Sequence, residues 1–304
     1  MRIEIKQWRA RMAIMNLPSR QELALMAVTL FWGGTFLIVH VTLRHCGPLF
    51  FVGLRFMTAG LIGCAVFHRT LRRITLAEMG AGMAIGIAIW GCYTLQTYGL
   101  QTISSSRSAF LTALYVPIVP LVQWIVLRRP PRIMNWVGIG MAFCGLVLLA
   151  GTGATQGGFG RGEWATVLCA VSAAGEIILI SRCAVLGDSR RITVVQLLVA
   201  GFLALLAMPV AGERLPAFSW IWVAGGVGLG VGSMLVQLAM NWAQKAVSPT
   251  RATIIYAGEP VWGGIAGRVA GDLLPATSIL GACCIVAGVL ASEIRVPARS
   301  QPGK

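Results

Sequence analysis

Apolar and polar positions do not alternate along this chain. They separate into ten solid apolar runs, each of about 18 residues or more, bounded by charge or proline. The runs cover 23–43, 48–67, 79–98, 108–127 and 133–151, then 164–181, 192–210, 219–242, 252–270 and 275–292. A helix needs about 20 such residues to cross a bilayer, and strands of a membrane barrel would alternate every second residue. The pattern therefore predicts an all-α polytopic membrane protein with ten transmembrane helices. Composition agrees: 57% hydrophobic and 12% charged residues with a mean hydropathy of +0.77, against about 45–50% and about 25% in soluble domains. This excludes a soluble fold and leaves no room for a separate soluble domain.

The net charge of +15 would suggest nucleic acid as a partner in a soluble chain. Its distribution points elsewhere. The N-terminus, the even-numbered loops and the C-terminus hold 19 Lys and Arg, whereas Arg44, Arg107, Arg161, Arg214 and Arg268 lie in the odd-numbered loops and Arg55 inside a span. Since positive charge collects on the cytoplasmic side, both termini are predicted there, in a multi-pass membrane protein with the lipid bilayer as partner and no nucleic acid. Residues 1–21 read as a basic interfacial segment, 22–151 and 163–292 as two five-helix units, and 293–304 as a cytoplasmic tail.

Sliding the chain by 143 residues lays the first five spans on the second five without a gap. Gln101 then meets Gln244, Ser105 meets Ser248, Pro117 meets Pro260, Gly138 meets Gly281 and Gly145 meets Gly288. An odd number of helices per unit forces the two copies to be inverted across the membrane, a recurring device for alternating access.

Three charges lie well inside predicted spans: Arg55, Glu176 and Glu259. Each is costly facing lipid, so each is expected to face protein or a water-filled cavity. The carboxylates either recognise a proton or a substrate ammonium, or pair with Arg55 to hold helices together. Pro117 and Pro260 occupy matching mid-span positions, where a missing N–H frees the carbonyls of Ala113 and Tyr256 and predicts a paired hinge or discontinuous helix. Ser233, Gln237, Asn241 and Gln244 share one helix face. The repeat brings Trp90, Thr94 and Gln101 onto three of them, so two related polar stripes either line a cavity or join helices by hydrogen bonds. The repeat also sets Glu176 opposite Gly33, in a Gly33-Gly34 pair suited to close helix approach. Trp124, Trp136, Trp164, Trp220, Trp222 and Trp242 lie towards span ends and suit interfacial belts.

Cys64, Cys92, Cys144, Cys169, Cys283 and Cys284 fall within apolar runs without C-x-x-C spacing and read as small fillers. No P-loop, H-E-x-x-H, G-x-S-x-G or acidic metal cluster occurs in the chain, so neither cofactor nor metal is expected, and the protein reads as no enzyme. A lipid-modifying membrane enzyme, a channel and a non-transporting scaffold are the rival classes.

The ten-span plan, the Trp32-Gly33-Gly34-Thr35 stretch, Arg55 in the second span, the segments Ala109 to Pro117 and Ala252 to Pro260, and the triplet Glu259-Pro260-Val261 resemble the drug/metabolite transporter superfamily, EamA type. The resemblance spans about Glu22 to Ser292. It departs after span four, where Leu127-Arg128-Arg129-Pro130 replaces the family's Gly-Glu, and after span nine, where Gly271-Asp272 stands. Within the superfamily the chain is most similar to aromatic amino-acid exporters of the YddG type.

The resemblance implies a carrier of the bacterial inner (plasma) membrane with a central cavity between spans one, three, four, six, eight and nine. On this reading the protein exports amino acids, aromatic ones foremost, or related amphipathic metabolites, with the oligomeric state open and a monomer compatible with it. A polyspecific drug or amine exporter of the same fold is the alternative. Trp32, Gly33, Trp90, Tyr93, Thr97, Tyr115 and Tyr256 would form the wall, Gln237 and Asn241 the polar contacts, Glu176 and then Glu259 the charge recognition, and Pro117 and Pro260 the flexing points.

Overall fold

The structure, a computed structural model, describes residues 18–103, 108, 111–128, 130–150, 160–259, 261–262 and 276–293. Among them are ten helices: α1 (Arg20–Thr42), α2 (Pro48–Leu71), α3 (Leu76–Gly99), α4 (Tyr115–Leu127), α5 (Ile133–Ala150), α6 (Arg161–Cys183), α7 (Ser189–Val210), α8 (Trp220–Ala243), α9 (Pro249–Tyr256) and α10 (Ala276–Glu293). Five of them, α2, α3, α6, α7 and α8, are each long and apolar enough to cross a membrane, whereas α4, α5 and α10 carry shorter apolar stretches. The basic segment before Leu17, the tail after Glu293, Pro260 and the Gly271-Asp272 pair lie outside the described residues.

Several helix starts sit further out than the apolar runs because polar residues cap them. Ser19 and Glu22 form a reciprocal capping box on α1, with Glu22 Oε2 accepting the Ser19 N–H at 2.7 Å, and Thr75 and Glu78 repeat the device on α3. These side chains satisfy backbone N–H groups that the first turn leaves without partners.

Spans four and nine are each interrupted near the matched prolines, where the sequence offers a paired hinge or a discontinuous helix. α4 begins only at Tyr115, after a turn at Ala113 and Leu114, which places Pro117 in its first turn. There a missing N–H removes no helical bond, so Pro117 starts a helix and does not kink one. The Ala113 carbonyl, expected to be free, accepts the Val116 N–H at 2.9 Å. α9 likewise stops at Tyr256, followed by a turn at Ala257 and Gly258, and Glu259 begins the next helical residues. Both members of the repeat pair are thus discontinuous near the middle of their spans.

Helix contacts follow the repeat. α1 packs on α8 as α6 packs on α3, α1 touches α9 as α6 touches α4, and α2, α4 and α5 each pack on their own counterparts α7, α9 and α10. α2 and α7 run antiparallel: Gly53 abuts Leu205, Gly60 abuts Leu198 and Gly63 abuts Val194. Equivalent helices can oppose each other in this way only if the halves are inverted.

The contact between α5 and α10 shows the same two-fold relation in backbone detail. A Cβ on Gly145 would stand 2.5 Å from the Gly281 carbonyl oxygen, and one on Gly288 would stand 2.7 Å from that of Gly138. These four are among the glycines that the 143-residue shift superposes, and their nearest neighbours are backbone, which cannot rotate aside. Close backbone approach is what small residues permit between helices in lipid. Gly145→Ala and Gly288→Ala are each expected to cost about 1–3 kcal/mol through overpacking, read as a lower thermal midpoint in detergent. Midpoints unchanged in both variants would contradict the close approach.

At each end of the bundle a carboxylate from one half caps a helix of the other. Glu78 accepts the Asp188 N–H ahead of α7 at 2.9 Å. Glu213, which follows α7, accepts the Leu49 and Phe50 N–H groups of α2 at 3.0 and 2.8 Å. Exposed Trp124, Trp136, Trp164, Trp220 and Trp242 lie near helix ends, as interfacial anchors do. Trp222 instead packs edge-on against Phe50, with ring centroids 5.0 Å apart.

Candidate functional site

A cavity opens between the discontinuous spans. It is bounded by Trp32, Thr35 and Val39 of α1, Cys92, Tyr93, Gln96 and Thr97 of α3, Tyr115 of α4, Ala173, Glu176 and Ile177 of α6, Met240 of α8 and Tyr256 of α9, with Arg55 entering from α2 and Glu259 from beyond the break. Helix breaks place α4 and α9 here because non-helical backbone at membrane depth is tolerated where it lines a cavity or is buried in protein.

The walls are aromatic. Trp32 leans on Tyr256 with ring centroids 5.2 Å apart, and Tyr93 meets Phe56 edge-on at 4.8 Å. The Thr35 and Thr97 hydroxyls donate to the backbone carbonyls of Trp32 and Tyr93 at 2.8 and 2.6 Å, which fixes the two threonine side chains, and Gln244 Nε2 donates to the Tyr256 hydroxyl at 3.2 Å, which holds the polar end of that ring. Gln96 Nε2 reaches Thr112 Oγ1 at 3.4 Å and so links α3 to the residues ahead of α4.

The two carboxylates differ in their surroundings. Glu176 is 5% exposed and ends a chain of amides. Asn241 Nδ2 donates to Gln196 Oε1 at 3.1 Å, Gln196 Nε2 to Gln237 Oε1 at 2.7 Å, and Gln237 Nε2 to Glu176 Oε1 at 2.8 Å. Gln196 and Gln237 each both accept and donate, so the series aims its last N–H at the carboxylate and holds that side chain in one pose. Glu259 takes part in no hydrogen bond or ion pair with the described residues. Ion pairs among the described residues join Arg190 to Asp188, Arg191 to Glu78 and Arg251 to Glu22. The alternative in which Arg55 pairs with an intramembrane glutamate is therefore not realised.

Of the residues expected in the site, Trp32, Tyr93, Thr97, Tyr115, Glu176, Tyr256 and Glu259 come together around the cavity. Gly33, Trp90, Gln237 and Asn241 do not line it. Gly33 is buried within α1, Trp90 packs against the apolar core, and Gln237 and Asn241 stand behind Glu176, bonded to Gln196. The Gln237 and Asn241 amides, expected as direct polar contacts, are each held by another amide instead. Pro117 is half-buried in the first turn of α4, and Pro260 is outside the described residues.

Sequence reasoning missed Gln196. A lone glutamine inside the apolar run of α7 was the available signal, since an amide in lipid seeks a partner on another helix. Gln196→Leu is expected to strand Gln237 Oε1 and to leave Asn241 Nδ2 with the Gln237 carbonyl alone, and so cost about 1–3 kcal/mol for the buried acceptor left without a partner. The midpoint of thermal denaturation measures this, and an unchanged midpoint would show the chain of amides to be incidental.

Eight cysteines are free, and Cys92 and Cys169 approach to 3.6 Å between α3 and α6. Among the described residues no three His, Cys, Asp or Glu side chains gather as a metal site would require.

Residues 20–151 and again 160–292 match the model of the EamA-like transporter family. An uncharacterized transporter of Archaeoglobus fulgidus is 26% identical over 279 residues, which cover 90% of this chain and 86% of that protein. The uncharacterized inner membrane transporter YedA of Escherichia coli K12 is 26% identical over 249 residues, 78% of each chain. A solved crystal structure superposes with a TM-score of 0.74 at 18% identity, covering 91% of this chain and 98% of the other, and so shares the fold. Two inverted copies of one helical pattern, closing on one cavity at the breaks of α4 and α9, are thereby accounted for, and the chain belongs to the EamA-like transporter family as a multi-pass membrane transporter.

Proposed function

We propose that the protein exports amino acids, aromatic ones foremost, or related amphipathic metabolites, by alternating access of its two inverted halves. The observation that carries this reading is the meeting of four aromatic side chains with Glu176 and Glu259 in one cavity. Aromatic faces supply apolar and cation–π contact, and a carboxylate supplies a partner for an ammonium group. Trp32, Tyr93, Tyr115 and Tyr256 form the wall together with Thr97, and Glu176 receives the ammonium, with Glu259 as the second acceptor.

Pairs at one end of the bundle tie the cavity helices together. Thr250 donates its N–H and hydroxyl to Gln123 Oε1 at 3.0 and 2.9 Å, and Arg251 pairs with Glu22. By the distribution of Lys and Arg this end faces the cytoplasm, as do both termini. Export then requires these α9 contacts with α1 and α4 to separate and re-form, with the breaks beside Pro117 and Pro260 as flexing points.

Purified protein in liposomes is expected to accelerate entry of labelled tryptophan or phenylalanine, and unlabelled amino acid loaded inside is expected to speed that entry further. A pore would show no such acceleration by counterflow. Failure of every amino acid in a panel, with amines transported instead, would favour the polyspecific amine exporter, which the unpartnered Glu259 also suits.

A further inference from the structure

Arg55 is 3% exposed and still lines the cavity. Its Nε donates to Ser233 Oγ at 2.6 Å, and its guanidinium carbon stands 4.9 Å from the Tyr93 ring centroid and 5.4 Å from that of Phe56. One edge of the guanidinium is thus anchored and its plane is packed against aromatic rings. The two Nη groups have no hydrogen-bond partner among the described residues, and Arg55 belongs to none of the ion pairs. Arginine stays protonated even in apolar surroundings, and a buried cation without a counter-charge is costly. In a membrane segment such a group pairs, or faces a water-filled cavity, and marks a solute pathway.

We infer that Arg55 is an anion subsite of the transport cavity, where its paired Nη groups bind the carboxylate of the solute in bidentate fashion. The fork matches a planar carboxylate. Packing on Tyr93 and the bond to Ser233 already restrict its rotamers, so binding orders little more. This inference rests on the reading of the cavity as the solute site and narrows the substrate class. With Arg55 on the carboxylate and Glu176 on the ammonium, the cavity prefers zwitterionic aromatic solutes to their decarboxylated amines. It also gives Ser233 a positioning role: its hydroxyl turns the free edge of the guanidinium inward without itself touching solute.

Binding of tryptophan, indole-3-propionate and tryptamine to the detergent-purified full-length protein separates the subsite from the wider reading. Indole-3-propionate keeps the carboxylate and lacks the ammonium, and tryptamine is the reverse. Arg55→Gln is expected to weaken indole-3-propionate about tenfold or more, the usual scale of a lost charge-assisted bond, and to leave tryptamine within about twofold. Arg55→Lys should restore part of the loss. A cooperative melting transition establishes that each variant folds. Should Arg55→Gln fail that criterion, Ser233→Ala is expected to weaken indole-3-propionate several-fold with tryptamine unchanged. Equal binding of indole-3-propionate to the wild type and the folded variant, or none by the wild type, overturns the subsite. Carboxylate binding that depends on Arg55 without amino-acid transport would keep the subsite and discard amino-acid export. Transport of amino acids that is indifferent to Arg55 would do the opposite.

Discussion

Glu176→Gln is expected to weaken the apparent affinity for ammonium-bearing solutes by roughly 10- to 100-fold while leaving the maximal rate within a few-fold. The substitution is nearly isosteric, and its amide oxygen can still accept the Gln237 N–H that Glu176 accepts at 2.8 Å. What disappears is the negative charge. A hydrogen bond to a charged group contributes about 1.5–3 kcal/mol, and at about 1.4 kcal/mol per factor of ten this gives the stated range. Solutes without an ammonium should be transported by the variant as by the wild type. Concentration dependence of uptake into liposomes for a matched pair, such as tryptophan and indole-3-propionate, checks this. Equal losses for both would assign Glu176 to packing, and no loss for either would remove it from charge recognition.

The second large effect is on stability. Glu78→Ala is expected to cost about 3–5 kcal/mol, the usual penalty for removing one partner of a buried ion pair. Glu78 has a side chain only 2% exposed, and one Arg191 Nη group donates to both of its oxygens at 3.0 and 2.9 Å. The same carboxylate accepts the Thr75 and Asp188 N–H groups, both at 2.9 Å. Truncation therefore strands a largely buried arginine and two backbone donors at once. Glu213→Ala at the opposite end should cost less, about 1 kcal/mol, because it removes a helix cap that has no arginine among the ion pairs described. Thermal midpoints of the two variants in detergent measure the difference. Equal losses would show that Arg191 contributes little.

Much of this architecture was legible in the sequence, for reasons that can be named. In a bilayer each spanning helix must be apolar along its length, so the runs announce themselves. The repeat was legible through residues that geometry makes scarce. Gly138, Gly145, Gly281 and Gly288 recur at one shift because symmetric backbone contacts admit no side chain. Seven expected residues converge on the cavity because aromatic and acidic side chains are rare enough in such spans to stand out. Helix breaks were harder to place. Pro117 reads as a kink within a continuous apolar run, since hydropathy does not register where a helix starts again.

The chain alone determined the apolar spans, the inverted repeat and the small set of buried charges, because each follows from composition and spacing. Tertiary structure decided which polar side chains face the cavity and which face one another. Gln237 and Asn241 share a stripe with Ser233, but their partner Gln196 comes from another helix, and only the packing of α7 against α8 brings it within reach. Arg55 and Glu176 could have paired as far as the sequence was concerned. Separate anchoring by Ser233 and by Gln237 holds each charge by its own neighbour, and leaves both facing one cavity.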